Sequence, residues 1–195
     1  MNYPGQAGFS ACMLLNYGRS SCIIITYNMY GIGAPMKEQK TNAMRILEQK
    51  KISYHTLDYP HGDAPVDGIT VASLTGSDPD TVFKTLVAVG ASRRHYVFVI
   101  PVERSLDLKK AAAAVGEKSV AMIHVNEITP LTGYVRGGCS PIGMKKLFPT
   151  VFDASAERIT TIQVSGGRIG TQIALDPSDL ISLVHGKTAD IIVKE

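Results

Sequence analysis

The sequence predicts an α+β fold, a mixed, strongly curved, barrel-like β-sheet with flanking helices. Short β-branched runs recur at residues 85–89, 96–100, 150–153, 160–165 and 171–175. Short helical segments separate them irregularly, without the βαβ rhythm of a doubly wound parallel sheet. No internal repeat or low-complexity block imposes another architecture.

Taken in order, Thr41 or Asn42 caps a helix over residues 41–50, with Ala43, Met44 and Leu47 on one face. Residues 53–59 alternate as a strand does. A loop over residues 61–68 leads to a short helix over residues 69–74, closed by Gly76. Asp78 then Pro79 form a cap followed by proline at the first helical position, and only one turn follows. Residues 85–89 and 96–100 form a hairpin across the polar stretch from Gly90 to His95. An alanine-rich helix over residues 107–115 ends at Gly116, and residues 120–125, including His124, predict a strand. After the later strands, Asp176-Pro177 repeats the cap-plus-proline device and opens a helix through about residue 184. An apolar segment, residues 189–193, ends the chain.

The chain has 195 residues, which predicts one main domain with a substantial core. Net charge is +3 with a pI near 8.7, a mild basic balance that accommodates a nucleic-acid partner without specifying one. Cys12, Cys22 and Cys139 are too few and too scattered for a disulfide framework or a zinc site. The five histidines lack metal-ligand spacing. No metal or cofactor is expected, and the expected setting is reducing and cytoplasmic. Residues 1–35 carry a single charge, Arg19, and their longest apolar stretch is too short to span a bilayer. They read as a poorly structured extension or an early start codon, with the domain expected over residues 36–195.

Three features carry candidate chemistry. Lys84 sits in the apolar run Val82-Phe83-Lys84-Thr85-Leu86. It is either an edge lysine that blocks strand pairing or snorkels to water, or a cation walled by apolar residues and facing an anion or a polarised carbonyl. On a strand, Val82, Leu86 and Ala88 would share its side. The second and third features are two glycine-rich turns, Gly133-Tyr134-Val135-Arg136-Gly137-Gly138-Cys139-Ser140-Pro141-Ile142-Gly143 and Val164-Ser165-Gly166-Gly167-Arg168-Ile169-Gly170. Neither matches a Rossmann or P-loop fingerprint. They are either tight turns of a curved sheet or backbone cradles for an oxyanion or a terminal ribose. Cys139 has no histidine near it in sequence, and no serine has an elbow motif around it, so no side-chain nucleophile stands out.

In this order and spacing, the three motifs resemble the YbaK family of aminoacyl-tRNA deacylases, which is related to the editing domain inserted in some prolyl-tRNA synthetases. The similarity runs from about Lys40 to about Ile192 and includes Tyr59, the Leu106-Asp107-Leu108-Lys109-Lys110 segment and Asp179-Leu180. It implies trans-editing of mischarged tRNA, above all cysteine on tRNA(Pro), with the tRNA acceptor end and prolyl-tRNA synthetase as partners and no membrane. It implies that the substrate's own thiol attacks the ester. Lys84 and Gly137 match the family's essential lysine and carbonyl-contacting glycine, and Tyr59 matches a pocket tyrosine. Phe83, Gly138, Ser140, Ser165, Gly166 and Gly167 complete the expected substrate contacts. Gln172 stands where some cysteine-specific members carry aspartate, so the edited amino acid stays open between cysteine and alanine. A non-catalytic module that binds tRNA or a synthetase is the reading from another class.

Overall fold

The computed structural model describes residues 40–62 and 64–194. These belong to one of two compact units, Gln39–Glu195, and the expected extension over residues 1–35 lies outside the described residues.

Helix α1 (Asn42–Gln49) starts where Thr41 Oγ1 accepts the Met44 N–H at 3.3 Å, and buries Ala43, Met44 and Leu47. Strand β1 (Tyr54–Asp58) follows, then α2 (Gly68–Thr75), capped by Asp67. A single 3-10 turn, Pro79–Thr81, feeds β2 (Phe83–Gly90), which turns back as β3 (His95–Pro101). Helix α3 (Leu108–Val115) is capped by Asp107 and leads to the short β4 (Val120–Met122). After α4 (Val125–Thr132) come β5 (Thr150–Asp153), β6 (Ile162–Ser165), β7 (Thr171–Leu175), α5 (Pro177–Leu183) and β8 (Lys187–Ala189).

The described strands form two sheets, ordered β1-β7-β6 and β4-β2-β3-β5-β8. Pairing is antiparallel around β2 and parallel for β3-β5 and β5-β8, so the larger sheet is mixed as expected. Among the described residues no strand closes a barrel. A parallel bridge between Val82 and Gln163 joins the sheets where β2 begins.

Strand β3 does not alternate in burial, because Val97, Phe98, Val99 and Ile100 are all 0% exposed. Both of its faces are covered. Phe83, Val87, Val97, Val99 and Phe152 pack with α1 and the smaller sheet. Ala88, Phe98, Ile100 and Val151 pack against Ala111 and Ala112 of α3. A strand buried on both sides needs an unbroken apolar run, as this one has.

One prediction is corrected. The strand expected over residues 120–125 ends at Met122, and His124 is the N-cap of α4 rather than a strand residue. The His124 N–H donates to Glu127 Oε2 at 2.8 Å in a capping box. Helix α4 forms despite Pro130 in its interior, and it ends at Gly133. Thr132 secures that end, donating to the Ile128 carbonyl at 2.7 Å and accepting the Tyr134 N–H at 3.0 Å.

Candidate active site

Both glycine-rich turns are held by a hydrogen bond at the turn itself and by one from elsewhere in the chain. In the first, the buried Tyr134 hydroxyl donates to the Ile142 carbonyl at 2.6 Å, and Asn42 Nδ2 donates to the Gly143 carbonyl at 2.9 Å. The second is the β6–β7 turn, closed by the Gly166 N–H on the Thr171 carbonyl at 2.9 Å. The Tyr59 N–H donates to the Gly170 carbonyl at 2.9 Å, tying the end of β1 to this turn. The turns also touch each other, since a Cβ on Gly138 would stand 3.0 Å from the Arg168 backbone.

Between them and the start of β2 lies a cleft of about 140 Å³. Tyr59, Phe83, Lys84, Gly137, Ser165 and Gln172, all expected site residues, line it. Val66, Val71, Val82 and Val102 supply apolar walls. Of the three residues expected beside Lys84, only Val82 reaches the cleft; Leu86 and Ala88 pack toward α3. Gly138, Ser140, Gly166 and Gly167 do not line it. Ser140 is fully buried, and its Oγ accepts the Ile142 N–H at 3.3 Å, which stiffens the turn. Gly167 lines the neighbouring cleft.

Lys84 is half-buried, and its Nζ donates to the Val102 carbonyl at 2.9 Å. Desolvation lowers its pKa below the ordinary 10.5. Among the described residues no carboxylate lines the cleft, so none of them compensates this positive charge there. Gly137 adopts a φ of +83°, and a Cβ would sit 2.7 Å from Pro65 Cβ, so any side chain is excluded on two counts. Among the described residues no group accepts the Gly137 N–H. A cation and an unpaired backbone donor in one apolar cleft can hold a developing oxyanion.

Two further atoms distinguish this cleft. Thr85 Oγ1 and Gln172 Oε1 are buried without a hydrogen-bond partner among the described residues, and both residues line it. An orphaned buried polar atom costs about 1–3 kcal/mol, so the site holds unmet capacity for a donor. Thr85 is absent from the residues expected from sequence. A threonine in a valine-rich strand reads as a strand former, and only its burial without a partner marks it.

Cys139 also lines the cleft, but burial pushes its thiol up to about 11. At neutral pH it is a protonated, inert packing group. No metal-ligating cluster occurs among the described residues, and none of their helices is long and apolar enough to cross a membrane.

The family model of the aminoacyl-tRNA editing domain matches residues 44–183. A protein of Enterococcus faecalis named as a candidate Cys-tRNA(Pro)/Cys-tRNA(Cys) deacylase, EbsC, is 45% identical over 158 residues, covering 81% of this chain and 96% of that protein. The fold is shared with a crystal structure described as a candidate trans-editing enzyme for prolyl-tRNA synthetase. Its TM-score is 0.70 at 23% identity, over 78% of this chain and 96% of that one. The hypothetical protein APE2540 gives 0.71 at 21% identity, over 78% and 100%. Motifs, fold and sequence agree, and the chain belongs to the aminoacyl-tRNA editing domain family, as its YbaK-like motifs implied.

Proposed function

We propose that this protein removes the wrong amino acid from mischarged tRNA in trans, with cysteine on tRNA(Pro) as the leading substrate. The observation that carries the reading is the 140 Å³ apolar cleft, which among the described residues holds one lysine without a carboxylate beside it and two orphaned oxygens but no activated side-chain nucleophile. The name of the 45% identical relative supports the same substrate. Its volume suits a small aminoacyl group and excludes the nucleoside attached to it.

The chemistry then falls to the substrate and to electrostatics. The cysteinyl sulfur attacks its own ester carbonyl carbon, forming an S–C bond. The bond from that carbon to the ribose oxygen breaks, and the proton lost by the thiol ends on the ribose hydroxyl. Water opens the resulting thiolactone to free cysteine. Lys84 and the Gly137 N–H stabilise the oxyanion formed on attack, and each such donor is worth about 10²–10³ in rate. Thr85 Oγ1 and Gln172 Oε1 accept hydrogen bonds from the substrate amino group. In this route the release is a lyase-type cyclisation followed by hydrolysis, with net deacylation.

A second reading has a specific observation behind it. Gln172 and Thr85 form a neutral acceptor pair, which orients an amino group without requiring a thiol. Alanine on tRNA(Pro) then fits the same cleft, with water as nucleophile. We further propose that residues 36–195 are the acting unit in the cytoplasm, with the two sheets curving around the cleft as parts of one barrel-like wall. Prolyl-tRNA synthetase supplies tRNA recognition that a chain of net charge +3 does not by itself provide.

Deacylation of cysteinyl-, alanyl- and seryl-tRNA(Pro) by wild type and Lys84→Ala tests this. The expected result is fast loss of cysteine alone, abolished in the variant. Cleavage of alanine at a matching rate would move the protein to the second reading. Binding of tRNA without loss of any ester would leave a non-catalytic module and overturn both.

A further inference from the structure

The two glycine-rich turns lie against one another at two places. Tyr134, at the base of the first turn, sets its ring against Gly167 of the second, where a Cβ would stand 2.9 Å from the ring. Gly167 also has a φ of +95°, so glycine is required there on two counts. At the tip of the first turn, a Cβ on Gly138 would stand 3.0 Å from the Arg168 backbone, and one on Gly137 would stand 3.6 Å from the Ile169 side chain. Residues 167–169 are therefore met at one end by the Tyr134 ring and at the other by the segment that carries the Gly137 N–H.

Each polar atom of Tyr134 is anchored. Its N–H donates to Thr132 Oγ1 at 3.0 Å, its carbonyl accepts from Thr129 Oγ1 at 3.0 Å, and its hydroxyl donates to the Ile142 carbonyl at 2.6 Å. Both threonines sit in the last turn of α4, so that helix ends in side chains that fix Tyr134. The hydroxyl bond reaches eight residues along the chain and closes the first turn into a ring with Gly137 and Gly138 in its span. Tyr134 is only 7% exposed, and burial holds its hydroxyl pKa above the ordinary 10, so it stays a donor through the neutral range. It does not line the aminoacyl cleft, and the chemistry set out above does not use it.

We propose that Tyr134 is a positioning residue: its ring seats the first turn on the second, its hydroxyl holds the span between, and together they keep the Gly137 N–H aimed at the oxyanion opposite Lys84. The step in which that donor acts rests on the deacylase reading; the clamp itself does not. An oxyanion exists only once the ester has been attacked. Misplacing its donor therefore raises the barrier from bound substrate and leaves ground-state binding alone. A shift of about 1 Å at a reacting centre costs on the order of 10² in rate.

The test is deacylation of cysteinyl-tRNA(Pro) by the full chain, comparing wild type with Tyr134→Phe and Tyr134→Leu, together with amide NMR spectra of the same proteins. Tyr134→Phe keeps the ring and loses the hydroxyl bond, and its kcat should fall about tenfold with KM held within about twofold. Tyr134→Leu also loses the ring, and its kcat should fall about 10²-fold with KM again unmoved. In both variants the Gly137 and Gly167 amide signals should shift, while those of Val87 and Val97 in the core strands stay in place. A wild-type kcat in Tyr134→Phe overturns the proposal, whether its melting temperature falls or not, because the residue then serves the fold alone. A raised KM at unchanged kcat also overturns it, since Tyr134 then serves binding. If Tyr134→Leu does not fold, Tyr134→Phe decides by itself. If wild type cleaves no aminoacyl ester, the deacylase reading falls and the spectra decide the clamp: a shifted Gly137 signal in Tyr134→Phe upholds it, and an unmoved one overturns it.

Discussion

The β2–β3 hairpin has polar side chains at both ends, and the two ends use them in opposite ways. At the turn, Glu117 accepts hydrogen bonds from the Ser92 hydroxyl, from the Ser92 N–H at 3.1 Å and from the Tyr96 hydroxyl at 2.7 Å. Every partner there belongs to the protein. At the open end, where Lys84 faces Ile100 across the ladder, the lysine bonds the Val102 carbonyl, and Thr85 Oγ1 has no partner among the described residues. One end is a closed network that fastens the turn to the segment after α3. The other has donors and acceptors left over. Polar groups that satisfy one another build the fold, whereas those left unsatisfied in a cleft await a ligand.

The largest break in this comparison comes from removing the charge at the open end. Lys84→Met should lower deacylation by at least about 10² while leaving the fold intact. Because burial lowers the lysine pKa below 10.5, the folded state disfavours the protonated form. That cost is present in full below the lowered pKa and fades as pH climbs toward 10.5, where the unfolded chain gives up its proton too. Thermal denaturation at pH 7 should therefore show Lys84→Met melting roughly 1–4 °C higher than wild type, with the gap narrowing at alkaline pH. A variant that melts lower would mean that the lysine serves the fold.

A smaller effect is expected at Thr85. Thr85→Val keeps the shape and removes the orphaned hydroxyl, which relieves about 1 kcal/mol of desolvation cost. Chemical denaturation should show the gain. Turnover of the preferred aminoacyl ester should fall about tenfold, the worth of one hydrogen bond to a substrate amino group. Unchanged kinetics would remove Thr85 from the site and leave Gln172 alone.

How far the sequence reveals these features follows from the range of the interactions involved. Lys84 is visible because a charge interrupts an apolar run, and the caps Thr41, Asp78 and Asp176 because they are local chemistry. Helix α4 is hidden because Val125, Ile128, Thr129 and Thr132 are poor helix formers, Pro130 argues against a helix, and histidine is an unusual partner in a capping box. The division into two sheets is hidden because β1 pairs with β7 across more than a hundred residues. For Gly167 and Gly170, the residue type signals close approach, yet nothing nearby in the chain names His61 or Tyr134 as what approaches. The orphaned hydroxyl of Thr85 is invisible for the same reason, since a missing partner is a property of the folded surroundings.

The smallest expected change in activity lies at the closed end of the hairpin. Glu117→Ala removes the acceptor shared by Ser92 and Tyr96, loosening the turn, but it touches nothing that lines the cleft. Deacylation should stay within about twofold of wild type, while the melting temperature falls by roughly 2–5 °C. The pH dependence separates this from a general loss of packing. Hydrogen bonds from Ser92 and then Tyr96 lower the Glu117 pKa below its ordinary 4.5. Its stabilising contribution is therefore complete above 4.5 and is lost as pH falls through the lowered folded-state value. Wild type and variant melting curves should converge in acid. A gap that persists there would point to side-chain packing against Gly90, whose Cα leaves room for Glu117, and the hydrogen-bond network would lose its part in holding the turn.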